Sequence, residues 1–325
     1  MTLELTALLN YIFAKNKYKR EILTDLNNKR IVKFNGGLGN QMFQYAFAYA
    51  LGKKLGVDVA FDFKFFEDVK VYDAATDREF ELGVFNTECR EATKEDLEKV
   101  IFSKRRSKFQ NFLWRVFKLK SFAPDGNNFL QTNSYNFDKN LLKSMDYYYY
   151  DGYFQNENYF KSEREDLLKC FSSDLALDEK NQLVLNKILS KNSVSIHIRR
   201  GDYVTLECAK KFHGTCSLKY YEKAIENIAS KVENPHFFLF SDDIDWVIKN
   251  MKIEHPFSVV DFNQGKGWLD LNLMKHCKHN VIANSSFSWW GAWLNENPQK
   301  IVIAPKKWNT LRGKCKIIPN EWITL

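Results

Sequence analysis

Arg199 and Arg200 stand side by side just past an apolar run, Val194–Ile198, and just before Gly201 and Asp202. The run predicts a buried strand, on which His197 and Arg199, two residues apart, share a face. Guanidinium groups at the carboxyl end of an α/β strand suit bidentate capture of phosphate. An internal ion pair between Asp202 and one arginine is the structural alternative. The two readings coexist if the aspartate holds one arginine while the other meets a ligand.

Other chemistry also falls at the ends of apolar runs. Gly36-Gly-Leu-Gly-Asn-Gln41 follows the run Ile31–Phe34. It lacks the Gly-Lys-Ser/Thr of a Walker A loop and the third glycine of a dinucleotide loop. What remains is a tight, side-chain-poor turn that opens a helix, with Asn40 placed as its cap. Exposed N–H groups there favour an anionic or hydroxyl-rich ligand, although a purely structural turn fits the loop equally well. Phe240-Ser-Asp-Asp243 brings two carboxylates after a strand. Adjacent side chains of an extended chain point to opposite faces, so joint chelation of a metal is disfavoured. Capping of the next helix by Asp242 or Asp243 is the expectation.

In Asn284-Ser-Ser-Phe-Ser-Trp-Trp-Gly291 a strand gives way to a helix through Asn284, Ser285, Ser286 and Ser288. Hydroxyl and backbone donors at a helix N-terminus again suit phosphate. Trp289 and Trp290 read as core rather than as a stacking platform. Asp270 lies at the start of an apolar helix, and a carboxylate there could accept the N1–H and exocyclic amine of guanine.

The elements that must position these groups alternate. A β-loop-α-β opening covers residues 31–63. Further strands are expected at Val194–Ile198, Phe237–Phe240, Ser258–Val260, Val281–Ala283 and Ile301–Ala304. Helices are expected at 175–189, 217–231, 243–251, 268–277 and 288–294. Strands separated by helices imply parallel sheets, hence an α/β protein of two Rossmann-like domains, 31–175 and 176–325, facing across a cleft. Residues 1–30 read as a helical extension, lacking the charge pattern and cleavage site of a signal peptide.

Composition agrees with a folded chain of about two domains: 325 residues, 45% hydrophobic and 27% charged. The balance of 48 Lys+Arg against 40 Asp+Glu suits an anionic partner without choosing one. Six scattered cysteines with no C-x-x-C pair favour free thiols in a reducing cytosol. Seven basic residues and no acid occupy 104–120, beside Phe109, Phe112, Leu113, Val116 and Phe117 on one helical face. A surface helix with a solvated basic side is expected there. The sharper reading is peripheral contact with an anionic inner membrane. No recognition-helix or RNP-like signature supports nucleic-acid binding.

Taken together, the glycine-loop, His197–Tyr203, Phe240–Asp243 and Asn284–Gly291 segments resemble the bacterial and animal α-1,2-fucosyltransferase family. Gly152-Tyr-Phe-Gln155 with Tyr159-Phe160 adds to the likeness, which runs from about residue 31 to the C-terminus. The resemblance implies a metal-independent, inverting enzyme of the GT-B type, needing no cofactor. Such an enzyme moves L-fucose from GDP-β-L-fucose to the 2-hydroxyl of a terminal β-galactoside. It assigns Arg199 or Arg200 to the β-phosphate and the loop with Gly37, Gly39, Asn40 and Gln41 to the donor. Ser285 and Ser286 fall to phosphate, Asp270 to guanine, and Asn284, Asp202 and Asp242 to the donor site. His197 joins the arginines as a catalytic candidate. For the base, His197, Asp62, Asp151 or late deprotonation through water stay open. Alanine at either arginine is expected to abolish transfer. Rival readings are fucosyl transfer to N-acetylglucosamine or a protein hydroxyl, and a non-catalytic carbohydrate-binding protein.

Overall fold

A computed structural model describes residues 28–68, 78–97, 129–132, 135–145, 147–201, 204, 214–310 and 316–325. The expected N-terminal extension up to residue 27, the basic helix 104–120, Asp202, Cys208 and Cys315 lie outside the described residues. Among the described residues, Cys89, Cys170, Cys216 and Cys277 are free thiols. No described helix is long and apolar enough to cross a membrane.

Two parallel sheets make up the structure. The first contains β1 (Lys29–Lys33), β2 (Asp58–Asp62), β3 (Phe129–Thr132) and β4 (Tyr149–Gly152), in the order β2-β1-β4-β3. The second contains β5 (Asn192–Ile198), β6 (Pro235–Ser241), β7 (Phe257–Val260), β8 (His279–Val281), β9 (Val302–Ala304) and β10 (Ile323–Thr324). Their order is β10-β9-β8-β5-β6-β7. The main helices are α1 (Leu38–Leu55), α2 (Arg164–Cys170), α3 (Glu179–Leu189), α4 (Leu218–Ala229), α5 (Ile244–Asn250), α6 (Gly267–His276) and α7 (Ser286–Trp293). This two-sheet α/β arrangement is the GT-B-like architecture expected. The first strand begins at Lys29, so residues 29 and 30 belong to the sheet rather than to the extension.

Local sequence accounts for the elements. β5 is buried at every position from Ser193 to Ile198, as befits a central parallel strand covered on both faces. α4 begins at a Ser217 cap whose hydroxyl accepts from the Tyr220 amide, and α3 likewise uses Asp178. α1 ends at Gly56, whose φ of 64° closes the helix in the left-handed region.

The two halves share one apolar core. Phe43 on α1 packs against Trp289 and Trp290 on α7, with ring centroids 4.5 and 4.9 Å apart. Both tryptophans are fully buried, so they are core, as expected. Truncating either to alanine would cost about 3–5 kcal/mol. Trp290 Nε1 also donates to the Gly39 carbonyl at 3.0 Å, tying α7 of the second half to the glycine loop of the first.

In each sheet the strand order reverses beside a central strand: β1 has β2 and β4 as neighbours, and β5 has β6 and β8. The crevice outside the carboxyl ends of the strands at such a point is where open α/β sheets bind ligands. The glycine loop follows β1, and Arg199 follows β5.

Candidate active site

A cleft of about 1080 Å³ opens at that crevice, lined by both halves. It collects Gly37, Gly39 and Asn40 after β1, His197 and Arg199 at β5, and Asp242 after β6. Asp270 on α6 and Asn284, Ser285 and Ser286 at the start of α7 also line it.

The glycine loop is shaped by close approach. Gly36 has φ of 74°, where a side chain is strained. A Cβ on Gly39 would collide with the Phe287 amide and the Ser286 carbonyl carbon, so only glycine lets α1 meet α7 there. Gly37, not Asn40, is the N-cap of α1, and no side chain caps it. Asn40 already lies inside the helix, and its Oδ1 accepts from Gln155 Nε2 at 2.8 Å. The cap expectation fails because the helix starts three residues early. Gln41 is fully buried away from the cleft. Its Nε2 donates to the carbonyls of Gly36 (3.0 Å) and Glu79 (2.8 Å), and its Oε1 accepts from the Glu81 amide (2.8 Å). It holds the loop instead of facing the ligand space.

The twin arginines part company. Arg199 lines the cleft, with Nη1 2.7 Å from Asp242 Oδ2. Arg200 does not line it. Its guanidinium lies over the Trp246 ring, 3.6 Å from the centroid, and its Nε donates to Asp243 Oδ2 at 3.0 Å. Strand parity sends neighbouring side chains to opposite faces, and an aromatic surface with a carboxylate beside it captures the outward one.

The aspartate pair is correspondingly divided. Asp242 Oδ1 accepts the Arg200 amide at 2.8 Å while Oδ2 meets Arg199. Asp243 caps α5, accepting from the Trp246 amide, and it also holds Arg200. Each carboxylate holds a different guanidinium, as opposite-facing neighbours should.

His197 is buried beside Phe287, and burial pushes its pKa down to about 4. The imidazole is therefore neutral at pH 7, and its Nδ1 has no hydrogen-bond partner among the described residues. Of the other base candidates, Asp62 accepts from the Tyr149 hydroxyl (2.6 Å) and the Lys64 amide (2.9 Å), and Asp151 pairs with Lys33 at 3.3 Å. Neither lines the cleft.

Burial raises the Asp270 carboxyl to about 7, against the opposing bond from Asn263 Nδ2 at 2.8 Å. Asn263 and Asn181 exchange two amide bonds of 2.9 Å, which fixes the donor facing Asp270. At the start of α7, Ser285 is the cap position and Ser286 the first helical residue. Asn284 Nδ2 bonds the carbonyls of Gly214 and Trp308, bracing the loop. Ser288 is buried and bonded to the carbonyls of Ala283 and Ser285, so it is structural.

Sequence reasoning missed Arg78, Glu81, Tyr135, Tyr153 and Trp308, all of which line the cleft. Tyr153 precedes Phe154, whose φ of 50° is a strained conformation and whose ring stacks on Phe47 at 3.8 Å. Phe-Gln after Gly152-Tyr was the available signal, but it carried no geometry.

The sequence model of Glycosyl transferase family 11 matches residues 94–325. The chain belongs to that family. This is the α-1,2-fucosyltransferase family, and the chain is a glycosyltransferase. The matched interval holds the Arg199, Asp242, Asp270 and Ser286 segments; the glycine loop precedes it. The family 11 chain is 36% identical to the O-antigen biosynthesis glycosyltransferase WbnK of Escherichia coli, over 90% of this chain and 98% of that one. It is 35% identical to an alpha-1,2-colitosyltransferase of Escherichia coli, over 86% and 91% of the two chains. A shorter match, 29% identical over 46% of this chain and 42% of the other, is to galactoside 2-alpha-L-fucosyltransferase Sec1 of Mus musculus.

Proposed function

We propose that this protein transfers L-fucose from GDP-β-L-fucose to the 2-hydroxyl of a terminal β-galactoside, with inversion, in the assembly of a bacterial surface glycan such as O-antigen. The observation that carries the reading is the gathering of these groups in one cleft. Arg199, the start of α7 and a buried carboxyl (Asp270) on α6 line it together with the glycine loop of the other half. A nucleoside diphosphate sugar offers a base, an anion and a hydroxylated ring to such a set.

Breaking the sugar–phosphate bond develops negative charge on GDP and positive charge on the sugar. A fixed guanidinium at the departing β-phosphate acts most strongly in the transition state. Arg199 takes that role, with Asp242 orienting it, and the amides and hydroxyls of Ser285 and Ser286 add donors at a helix N-terminus. The charge these groups supply suits a reaction that proceeds without a divalent ion. Asp270 accepts guanine N1–H. His197, neutral at pH 7, offers a hydrogen bond to the donor without adding charge.

Transfer of colitose, which is 3-deoxy-L-fucose, is the second reading. It is favoured by the 35% identity with the colitosyltransferase over most of both chains. The test is incubation with GDP-fucose or GDP-colitose and a panel of β-galactosides, with EDTA present, followed by linkage analysis. An α-1,2-fucosyl product supports the first reading, a colitosyl product alone the second. Product only when a divalent ion is restored overturns the metal-free step.

A further inference from the structure

Four carboxylates line the cleft among the described residues: Glu81, Asp242, Asp261 and Asp270. The last three hang from the second sheet. Asp242 is bound to Arg199, Asp261 follows β7, and Asp270 lies on α6 with Asn263. Glu81 alone comes from the half that carries the glycine loop. Its backbone is fixed by the Gln41 side chain, which bonds both the Glu81 amide and the Glu79 carbonyl at 2.8 Å. Inversion requires the attacking oxygen to approach the sugar from the face opposite the departing phosphate. With the phosphate on the Arg199 wall, the acceptor must enter on the other wall, and the carboxylate on that wall is Glu81.

We propose that Glu81 is the catalytic base that takes the proton of the acceptor hydroxyl. This rests on the glycosyl-transfer reading above and supplies the group that reading lacks. In the step, the hydroxyl proton passes to the Glu81 carboxylate and the oxygen's electron pair forms the new bond to C1. The C1–O bond to the β-phosphate breaks, and its electron pair departs on GDP towards Arg199. Glu81 then returns the proton to solvent. Burial raises the Glu81 pKa above the ordinary range, and Glu79 on the same segment adds to this. Arg78, the Leu38 amide at the start of α1 and Arg199 across the cleft oppose the rise. Raising a carboxylate towards the working pH improves it as a proton acceptor.

The test is Glu81→Gln, which keeps size and an acceptor for the Leu38 amide. Wild type and variant are assayed with GDP-fucose (or GDP-colitose, if that is the donor used), a β-galactoside, and azide as a nucleophile that needs no base. The expected result is a 10²–10⁴-fold loss of kcat towards the galactoside. GDP affinity by calorimetry stays within threefold, glycosyl azide forms at a wild-type rate, and the acid limb of the wild-type pH–kcat profile disappears. Galactoside transfer within tenfold of wild type overturns the proposal. So does equal loss with both nucleophiles accompanied by weaker GDP binding, which would mark Glu81 as a support for α1. A wild type inactive with both sugar nucleotides rejects the functional reading and this role with it.

Discussion

Arg199 Nη1 lies 2.7 Å from Asp242 Oδ2, and the other oxygen of that carboxylate accepts the backbone N–H of Arg200 at 2.8 Å. One side chain thus fixes both the guanidinium in the cleft and the turn that follows its strand. Such preorganisation keeps the cation in place before charge develops on the leaving group.

Arg199→Ala should lower kcat/KM by about 10²–10³-fold with the fold retained, checked by steady-state kinetics and a thermal melt. Arg199→Lys should recover only part of the loss, since a point charge replaces a fork. Arg200→Ala should behave differently, keeping most transfer while losing about 1–2 kcal/mol of stability with its Trp246 and Asp243 contacts. Equal inactivation of both variants would contradict the division between them.

Asp270 should make GDP binding pH-dependent. Its folded pKa is raised to about 7, whereas acceptance of guanine N1–H needs the carboxylate. Binding should release a proton near neutral pH and weaken by about tenfold per unit below 7. Calorimetry in buffers of different ionisation enthalpy reads the proton directly. In the ligand-free protein the sign is that of a raised group. Its contribution to stability is complete below the unfolded value of about 4 and lost as pH rises through about 7. Asp270→Asn should therefore melt higher than wild type at pH 8 while binding GDP less tightly.

Gly39→Ala should drive α1 away from α7, because the new methyl meets backbone rather than a yielding side chain. A loss of about 1–3 kcal/mol is expected, with a fall in activity larger than thermal unfolding explains. Unchanged melting and turnover would show that the two helices have room to part.

Gln41→Leu removes three hydrogen bonds without opening a cavity. The carbonyls of Gly36 and Glu79 and the amide of Glu81 lose their side-chain partner, at about 1–3 kcal/mol for each that stays buried. Hydrogen exchange should rise selectively in residues 78–84, with the second sheet unaffected.

Much of this layout was legible along the chain because the informative segments are local. A strand end followed by Gly36–Asn40, Arg199 or Ser285–Ser286 declares its own position, and parallel topology then brings such ends together. The alternation of residues also put His197 and Arg199 on one face. What the chain did not declare was the company each group keeps. Trp246, 46 residues after Arg200, decides where that guanidinium goes. Asp62 on β2 is occupied by Tyr149 on β4, across the intervening β1, and Asp151 on β4 by Lys33 on the paired strand β1. Glu81 and Arg78 come from a stretch with no hydrophobic period, held by a buried glutamine that reads as an ordinary polar residue of a helix. The short strands β3 and β4 escaped for the same reason.

The Trp290–Gly39 bond has a mechanical consequence. It rivets the two halves of the enzyme at the glycine loop, where the rings of Phe43, Trp289 and Trp290 pack together. Any breathing must swing about that rivet, with the widest travel at the lips furthest from it. On the proposed function, loading of the sugar nucleotide and escape of the spent carrier then fall to those lips.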